Sequence, residues 1–381
     1  MKFTVERDVL ADAVAWAARS LPVRPSVPVL AGLLIETVEG GDGLQLSTFD
    51  YETSARATLP ASVQDEGRAL VSGRLLADIA RALPDKPVDV ALDGAKLGVT
   101  CGSSRFSLQT MPVEDYPALP EMPEVAGTVD GDLFATAVGQ AVTAAGRDDM
   151  LPVLTGVKVE IDGSTLSLLA TDRFRLSLRE LEWSPVQSDL SVSALVPARV
   201  LSDTAKSLTA GSQLTIALAT AGGEGLIGFV SEAAGGQRRT TTRLIEGAFP
   251  NVRQLFPATS EITAQLEVAA LIDAVKRVSL VAGRNTPIRL GFSDGLVTLE
   301  AGNGEEAQAS ESLEAALTGE DISIGFNPSY LLDGLGAIGG SHVHVAMTQP
   351  ARPAAFTSMA GADAQPDLAF RYLLMPLRMQ G

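Results

Sequence analysis

The sequence is short of the residues on which most catalysis, metal binding and membrane insertion depend. It has one cysteine, Cys101, in 381 residues. That excludes an internal disulfide and any zinc site needing two thiolates. It has two histidines, His342 and His344, in the stretch SHVHVAM. Strand alternation would put both on one face, but Asp and Glu are absent from residues 334–362. They read as exposed strand histidines, and no metal or cofactor is expected. Aromatics make up 5% of the chain, so aliphatic side chains and alanine must fill the core. The longest near-apolar run, VPVLAGLLI, covers nine residues from Val27, far short of the roughly 20 that span a bilayer as a helix. Glu6, Arg7, Asp8 and Asp12 interrupt the first stretch, which therefore does not read as a signal peptide. A cytoplasmic protein without membrane contact is the expectation. Positive charge is in the minority too: 29 Lys and Arg against 46 Asp and Glu give a net −17. This argues against nucleic acid for the average surface, although a local basic face can sit inside an acidic total. Phosphate loops and the GxGxxG, HExxH and GxSxG patterns are all missing from the sequence.

What the chain does have is repetition. VPVLAGLLIE from Val27 returns as LPVLTGVKVE from Leu151, with five of ten letters identical at a spacing of 124. ALVSGRLLADIARAL (69–83) returns as ALVPARVLSDTAKSL (194–208), eight of fifteen identical at a spacing of 125. A third copy is fainter: SYLLDGLGAI (329–338) echoes RLLADIARAL, with Asp333 falling where Asp78 and Asp203 fall. A near-constant offset across separated segments marks duplicated domains. Proline-rich joints at 112–125 and 248–260 divide the chain into three, at 1–122, 127–254 and 259–381.

Each copy reads as two helices with alternating strands, closed by Asp-Gly hairpin turns. The first helix carries Val9, Ala13, Trp16 and Ala17 on one face. The fold class is therefore α+β, three tandem two-helix, antiparallel-sheet domains. Helices are expected over 7–20, 74–83, 133–147, 199–208, 267–284 and 329–338. These windows hold ten basic and seven acidic residues, a net +3, leaving −20 elsewhere. TDRFRL (171–176) groups Asp172, Arg173 and Arg175 just after the apolar stretch TLSLLA. With no base or nucleophile nearby it reads as a charged hairpin tip. Cys101 reads as a packing residue.

MKFTVERDVL, RPSVPVLAGLLIE, SSRFSLQTMPVEDYPALP, LATDRFRLSLRE, LIEGAFPNVRQLFP, IGFNPSYLLDGLGAI and the tail LLMPLRM together resemble the bacterial DNA polymerase III beta subunit, the replicative sliding clamp. The resemblance runs over the whole chain in order. It implies a head-to-tail homodimeric ring, helices lining the hole, that slides on duplex DNA without reading sequence. It also implies a non-catalytic role, tethering the DNA polymerase III alpha subunit, the clamp loader, other polymerases and repair proteins through short clamp-binding peptides. The peptide groove it implies lies between the second and third domains: Leu154, Thr171, Arg173, Arg175, Leu176, Pro250, Leu255, Tyr330, Met375, Pro376, Leu377, Arg378 and Met379. Arg24 and Arg74 would face DNA. The subunit seam would set Ser104, Arg105 and Phe106 against Leu280, Val281, Glu305, Glu306 and Glu311. Arg173 and Phe174 stand where the family commonly has Gly followed by His or Tyr, which would alter the pocket rim.

Two other readings remain open from the residues: a repeat-built enzyme using Asp172 and Arg175, and an acidic adaptor with the clamp fold that does not circle DNA.

Overall fold

The computed structural model describes all residues except 39, 41–42, 220–224, 234–235, 258–259, 284–285, 294, 303–306 and 378–381. Among the described residues the six α-helices are α1 (Arg7–Ala17), α2 (Gly73–Ala82), α3 (Gly131–Val142), α4 (Ala198–Lys206), α5 (Val268–Val278) and α6 (Pro328–Ala337). None is long and apolar enough to cross a membrane.

Several helices are shorter than their sequence windows. α1 tightens into a 3-10 turn over Ala18–Ser20, and α5 into another over Ser279–Val281. α3 stops at Val142, ahead of Gly146, and glycine is a poor helix residue. Arg147 thus lies beyond a helix, and Arg284 lies outside the described residues. The observed helices carry seven basic and seven acidic side chains, so the expected excess of +3 is corrected to zero. Several of those charges pair within their own helix, as in Arg81–Asp78 at 3.6 Å and Arg199–Asp203 at 3.7 Å.

The repeated stretch that opens both first copies is only partly strand. Pro28–Ala31 and Pro152–Thr155 form 3-10 turns, because proline fixes φ at the first helical position. Strands Gly32–Thr37 and Gly156–Asp162 follow. The Asp-Gly turns form as the sequence implies, with Gly94 and Gly163 both at φ 56.

The chain divides into two compact units. The first holds 1–135, 183–190 and 199–244. Its strands form one 14-stranded antiparallel sheet. Strand Thr53–Pro60 of the first copy pairs with Gly236–Arg243 of the second, from Thr53 opposite Thr242 to Ala57 opposite Arg238. α1 and α2 bury Leu10, Val14, Ala17, Leu76 and Ile79 against Phe3, Leu33, Leu46, Val90 and Val99. Val9, expected on that face, is only half-buried; Leu10 and Val14 take its place. Cys101 is fully buried, its thiol 3.2 Å from the Pro84 carbonyl, as a packing residue should be.

The second unit holds 136–182, 191–198 and 245–381. It has a nine-stranded and a four-stranded sheet. In the larger sheet, Arg175–Glu182 pairs with Asp367–Leu374, setting Arg175 opposite Leu374. His342 and His344 do share a strand face, but both are half-buried rather than exposed. His342 Nδ1 lies 2.9 Å from Ser341 Oγ.

Candidate functional site

The hairpin tip TDRFR is a densely hydrogen-bonded surface feature of the second unit. Arg173 has φ 81, a left-handed conformation that costs a non-glycine side chain of order 1 kcal/mol or more. Its neighbours hold it there. Thr171 Oγ1 accepts from Arg173 N at 3.2 Å and donates to the Arg175 carbonyl at 2.7 Å. Asp172 Oδ1 accepts from Phe174 N and Arg175 N, both at 3.0 Å. The turn pushes Phe174 outward, where it is 47% exposed.

Arg175 does not behave as the tip residue expected from the sequence. Its side chain is 5% exposed and bridges Asp172 at 2.9 Å and Asp333 at 2.6 Å. Burial alone would lower its pKa, but bonds to Asp333, Tyr372 and Asp172 outweigh that and hold it above the usual guanidinium value. The guanidinium lies 4.4 Å from the Tyr330 ring centroid, and Phe174 stacks on the same ring at 6.3 Å. Tyr330 is fixed in turn. Asn327 caps α6 by accepting from Ser329 N and Tyr330 N, and the Tyr372 hydroxyl donates to the Tyr330 carbonyl at 2.9 Å.

These side chains wall a cleft of about 560 Å³ that also includes Gly146, Arg147, Asp148, Leu151 and Leu154. Of the residues expected in a groove, Leu154, Arg173, Arg175 and Tyr330 meet here. The others do not line it. Thr171 is 4% exposed and Leu176 1%. Leu176 belongs to an apolar cluster with Leu169, Leu178, Val252 and Leu373, against which Phe249, Phe256 and Met375 are half-buried. Pro250 is exposed, as is Leu255 at 41%. Met375 N donates to the Phe174 carbonyl at 2.9 Å, and Leu377 N to Gly325 at 2.8 Å, so the tail runs past the tip. Pro376 is half-buried between them; Arg378 and Met379 lie outside the described residues. The sequence reading missed Asp333, Ser329 and Leu151. Only Asp333 left a signal, its recurrence at Asp78 and Asp203.

The remaining expected residues lie elsewhere. Arg24 is exposed. Arg74 donates to the Pro22 carbonyl at 3.1 Å and so steadies the segment that carries Arg24. Arg105 and Phe106 lie on strand Ser104–Met111, whose residues 104–109 pair with Lys96–Cys101 on one side. Leu280 is 84% exposed, with Val281 beside it half-buried. Glu311 is bound by Arg277 at 2.6 and 3.0 Å, and that bond holds its carboxyl below the usual range. Glu305 and Glu306 fall outside the described residues.

The chain matches the DNA polymerase III beta subunit N-terminal domain over residues 1–120, the central domain over 128–251 and the C-terminal domain over 253–378. The chain belongs to the DNA polymerase III beta subunit family. A beta sliding clamp of Streptomyces coelicolor is 56% identical over 382 residues, covering 100% of both chains. A beta sliding clamp homologue of Streptomyces muensis is 46% identical, covering 99% of both. Among solved structures, a Pseudomonas aeruginosa sliding clamp bound to griselimycin aligns with a TM-score of 0.90 at 27% identity, covering 100% of both chains. The function is that of a DNA sliding clamp, a non-catalytic processivity subunit of a polymerase holoenzyme. The reading of Asp172 and Arg175 as catalytic is thereby set aside; they brace a surface instead.

Proposed function

We propose that two copies of this clamp close head to tail into a ring around duplex DNA in the cytoplasm. The first domain (1–122) of one chain meets the third (259–381) of the other, with 127–254 between them and the helices lining the hole. Two half-turn arcs close on themselves, whereas arcs that fail to close make filaments. Two open sheet edges support this reading: residues 104–109, and strand Gln308–Glu314, which pairs only with Leu296–Gly302 among the described residues. An unpaired edge is satisfied by another strand. Exposed Leu280 and half-buried Val281 would pack beside Phe106 of the other copy, with Arg105 bordering on the glutamates. DNA is held by enclosure, and Arg24 and Arg74 add weak, sequence-blind phosphate contacts. Neutral helices on a chain of net −17 suit such sliding.

Partner peptides dock in the cleft at Arg175 and Tyr330. These come from the polymerase III alpha subunit, the clamp loader, other polymerases and repair proteins. Tethering keeps a polymerase at high effective concentration near its template. The observation that carries the docking reading is the exposed Phe174 stacked on a Tyr330 that is itself fixed from beneath. Rigid aromatic anchors of this kind dominate binding energy. One experiment tests the reading as a whole: protein loaded on nicked circular DNA by a clamp loader should stay bound until the circle is cut, then leave. Retention that ignores cutting would defeat it.

A further inference from the structure

Two arginines stand at matching places in the two units, and only one of them has a counter-charge. In the first unit Arg238, on strand Gly236–Arg243, lies opposite Ala57. Its guanidinium packs over the Trp16 ring of α1 at 5.4 Å, pairs with Asp12 one turn earlier, and donates to the Ser207 carbonyl at 3.2 Å. In the second unit the matching arginine sits on the other strand of the pair. The hairpin tips align at Asp50 and Asp172, each followed by a residue at positive φ, Tyr51 and Arg173. By the same offset of 122, Ala57 corresponds to Arg179, which lies opposite Phe370. Ser177, two residues earlier and so on the same strand face, donates to the Ala141 carbonyl at 2.6 Å, just before α3 ends. Arg179 therefore stands on the helix side of its sheet.

The acid that neutralises Arg238 has no counterpart in the second unit. At an offset of 124, Asp12 becomes Thr136 and Trp16 becomes Gln140. Gln140 donates to the Ala337 carbonyl at 3.1 Å, as Arg238 donates to Ser207, so that acceptor is taken without Arg179. The helices α3 and α6 carry one charged residue each, and both are committed: Asp132 accepts from Gly211 N at 2.9 Å, and Asp333 is held by Arg175. The cross-strand neighbours, Leu168 and Phe370, are apolar. Arg179 makes no ion pair among the described residues, and its Nε is buried without a hydrogen-bond partner among them. A half-buried guanidinium lacking both acid and acceptor is unfavourable by itself. A long basic side chain so placed buries its stem and keeps its charged end at water.

We propose that Arg179 is a further phosphate contact for duplex DNA. The inference rests on the ring reading, which turns the helix side of each sheet toward the hole. The chain has 46 acidic residues to 29 basic, and it sets one of those acids against Arg238 but none against Arg179. A backbone phosphate supplies the missing counter-charge from outside. Arg238, already neutralised by Asp12, makes no such contact.

Affinity of the full chain for a short fluorescent duplex, followed against salt, counts the phosphates neutralised. Arg179→Met should lower the salt slope by about one and weaken binding several-fold at low salt. Arg179→Gln, which keeps a polar end, repeats the test should the methionine lower the melting temperature. Arg179→Lys keeps the charge and should restore the slope, a rescue that a merely structural arginine would not show. Arg238→Met with Asp12→Asn removes a neutral pair, so it should lower the melting temperature and leave the slope alone. The proposal is overturned by a wild-type slope in both neutral Arg179 variants, or by a slope that falls as far in Arg179→Lys as in Arg179→Met. Retention of the wild type on closed DNA circles separates the two readings. If it is retained and the Arg179 slopes are unchanged, this inference alone fails; if it leaves closed circles as fast as cut ones, the ring reading fails and takes this inference with it.

Discussion

Arg175 Nη1 lies 2.6 Å from Asp333 Oδ2, although the two residues are 158 positions apart. The bond ties the hairpin tip that presents Phe174 to the helix that presents Tyr330. A single guanidinium thus fixes the two aromatic rings relative to each other, from below through the Tyr330 face and from the side through Asp172. Rigidity of this kind lowers the ordering cost that any ligand of the cleft must meet.

Removing that guanidinium strands two carboxylates unequally. Asp172 is 14% exposed and Asp333 46%, so Asp333 can recover hydration while Asp172 cannot. Arg175→Met should cost about 2 kcal/mol or more, as breaking a buried pair does. Adding Asp172→Asn should recover part of the loss, since the amide oxygen can still accept from the backbone. Asp333→Asn should recover little. Urea unfolding of the four proteins decides it; equal rescue by both partners would contradict the burial argument.

Acid should weaken the second unit through Glu160. Burial pushes this carboxyl up, but hydrogen bonds from Lys158 and Arg253 outweigh it and set the folded pKa below 4.5. A depressed carboxylate adds stability above its unfolded pKa and loses it as pH falls through the folded value. The melting-temperature gap between wild type and Glu160→Gln should therefore be full near neutral pH and close as pH drops below about 4.5. A gap that stays constant down to acid would remove the ion pairs from the account.

The fold was legible wherever a local rule sufficed. The offset between copies announced the duplication, and Asp-Gly announced the turns at Gly94 and Gly163. Helix ends were less legible. In GQAVTAAGR, Gly146 signals a stop, but Thr143, Ala144 and Ala145 would allow most of another turn before it, so the end at Val142 is not readable to the residue. The site was half legible. Tyr330 and Arg175 came through the family resemblance, but whether Arg175 faces solvent depends on Asp333 arriving from a distant helix. Leu176 shows the limit most plainly: adjacent to Arg175 in a strand, it points to the opposite face and into the core.

The seam makes a prediction about assembly. Leu280 is 84% exposed and Val281 half-buried in the single chain, so Leu280→Asp with Val281→Asp should cost the fold of a single chain little. In the proposed dimer the same carboxylates would be buried without partners. Sedimentation should show a folded monomer with a melting profile close to wild type. A dimer as tight as wild type would move the seam elsewhere.

DNA contact should be weak and set by salt. Arg24 is exposed and makes no ion pair among the described residues, so Arg24→Ala should leave stability unchanged and lower the salt slope of DNA binding by about one. Arg74→Ala should lower it at least as far, because it also frees the Pro22 segment. Unchanged slopes in both would make these arginines ordinary solvated surface.

The groove needs variants that separate binding from folding, and burial chooses them. Leu176→Ala would empty a site that is 1% exposed, at a cost of roughly 2–5 kcal/mol in stability, so lost binding there would be ambiguous. Phe174 is 47% exposed and its main chain is held by Asp172 and Met375, so Phe174→Ala removes a ring without opening a cavity. Tyr330→Ala removes the ring beneath it. Each should weaken a fluorescent, polymerase-derived clamp-binding peptide by about tenfold or more in a polarisation assay, the scale of an anchor residue. The double variant should lose less than the sum, because the rings stack on each other and form one wall. DNA retention on closed circles should stay intact in both. Full peptide affinity in Phe174→Ala together with loss in Tyr330→Ala would mean that the outer ring is a bystander and the cleft is read from below, by Tyr330 and Arg175 alone.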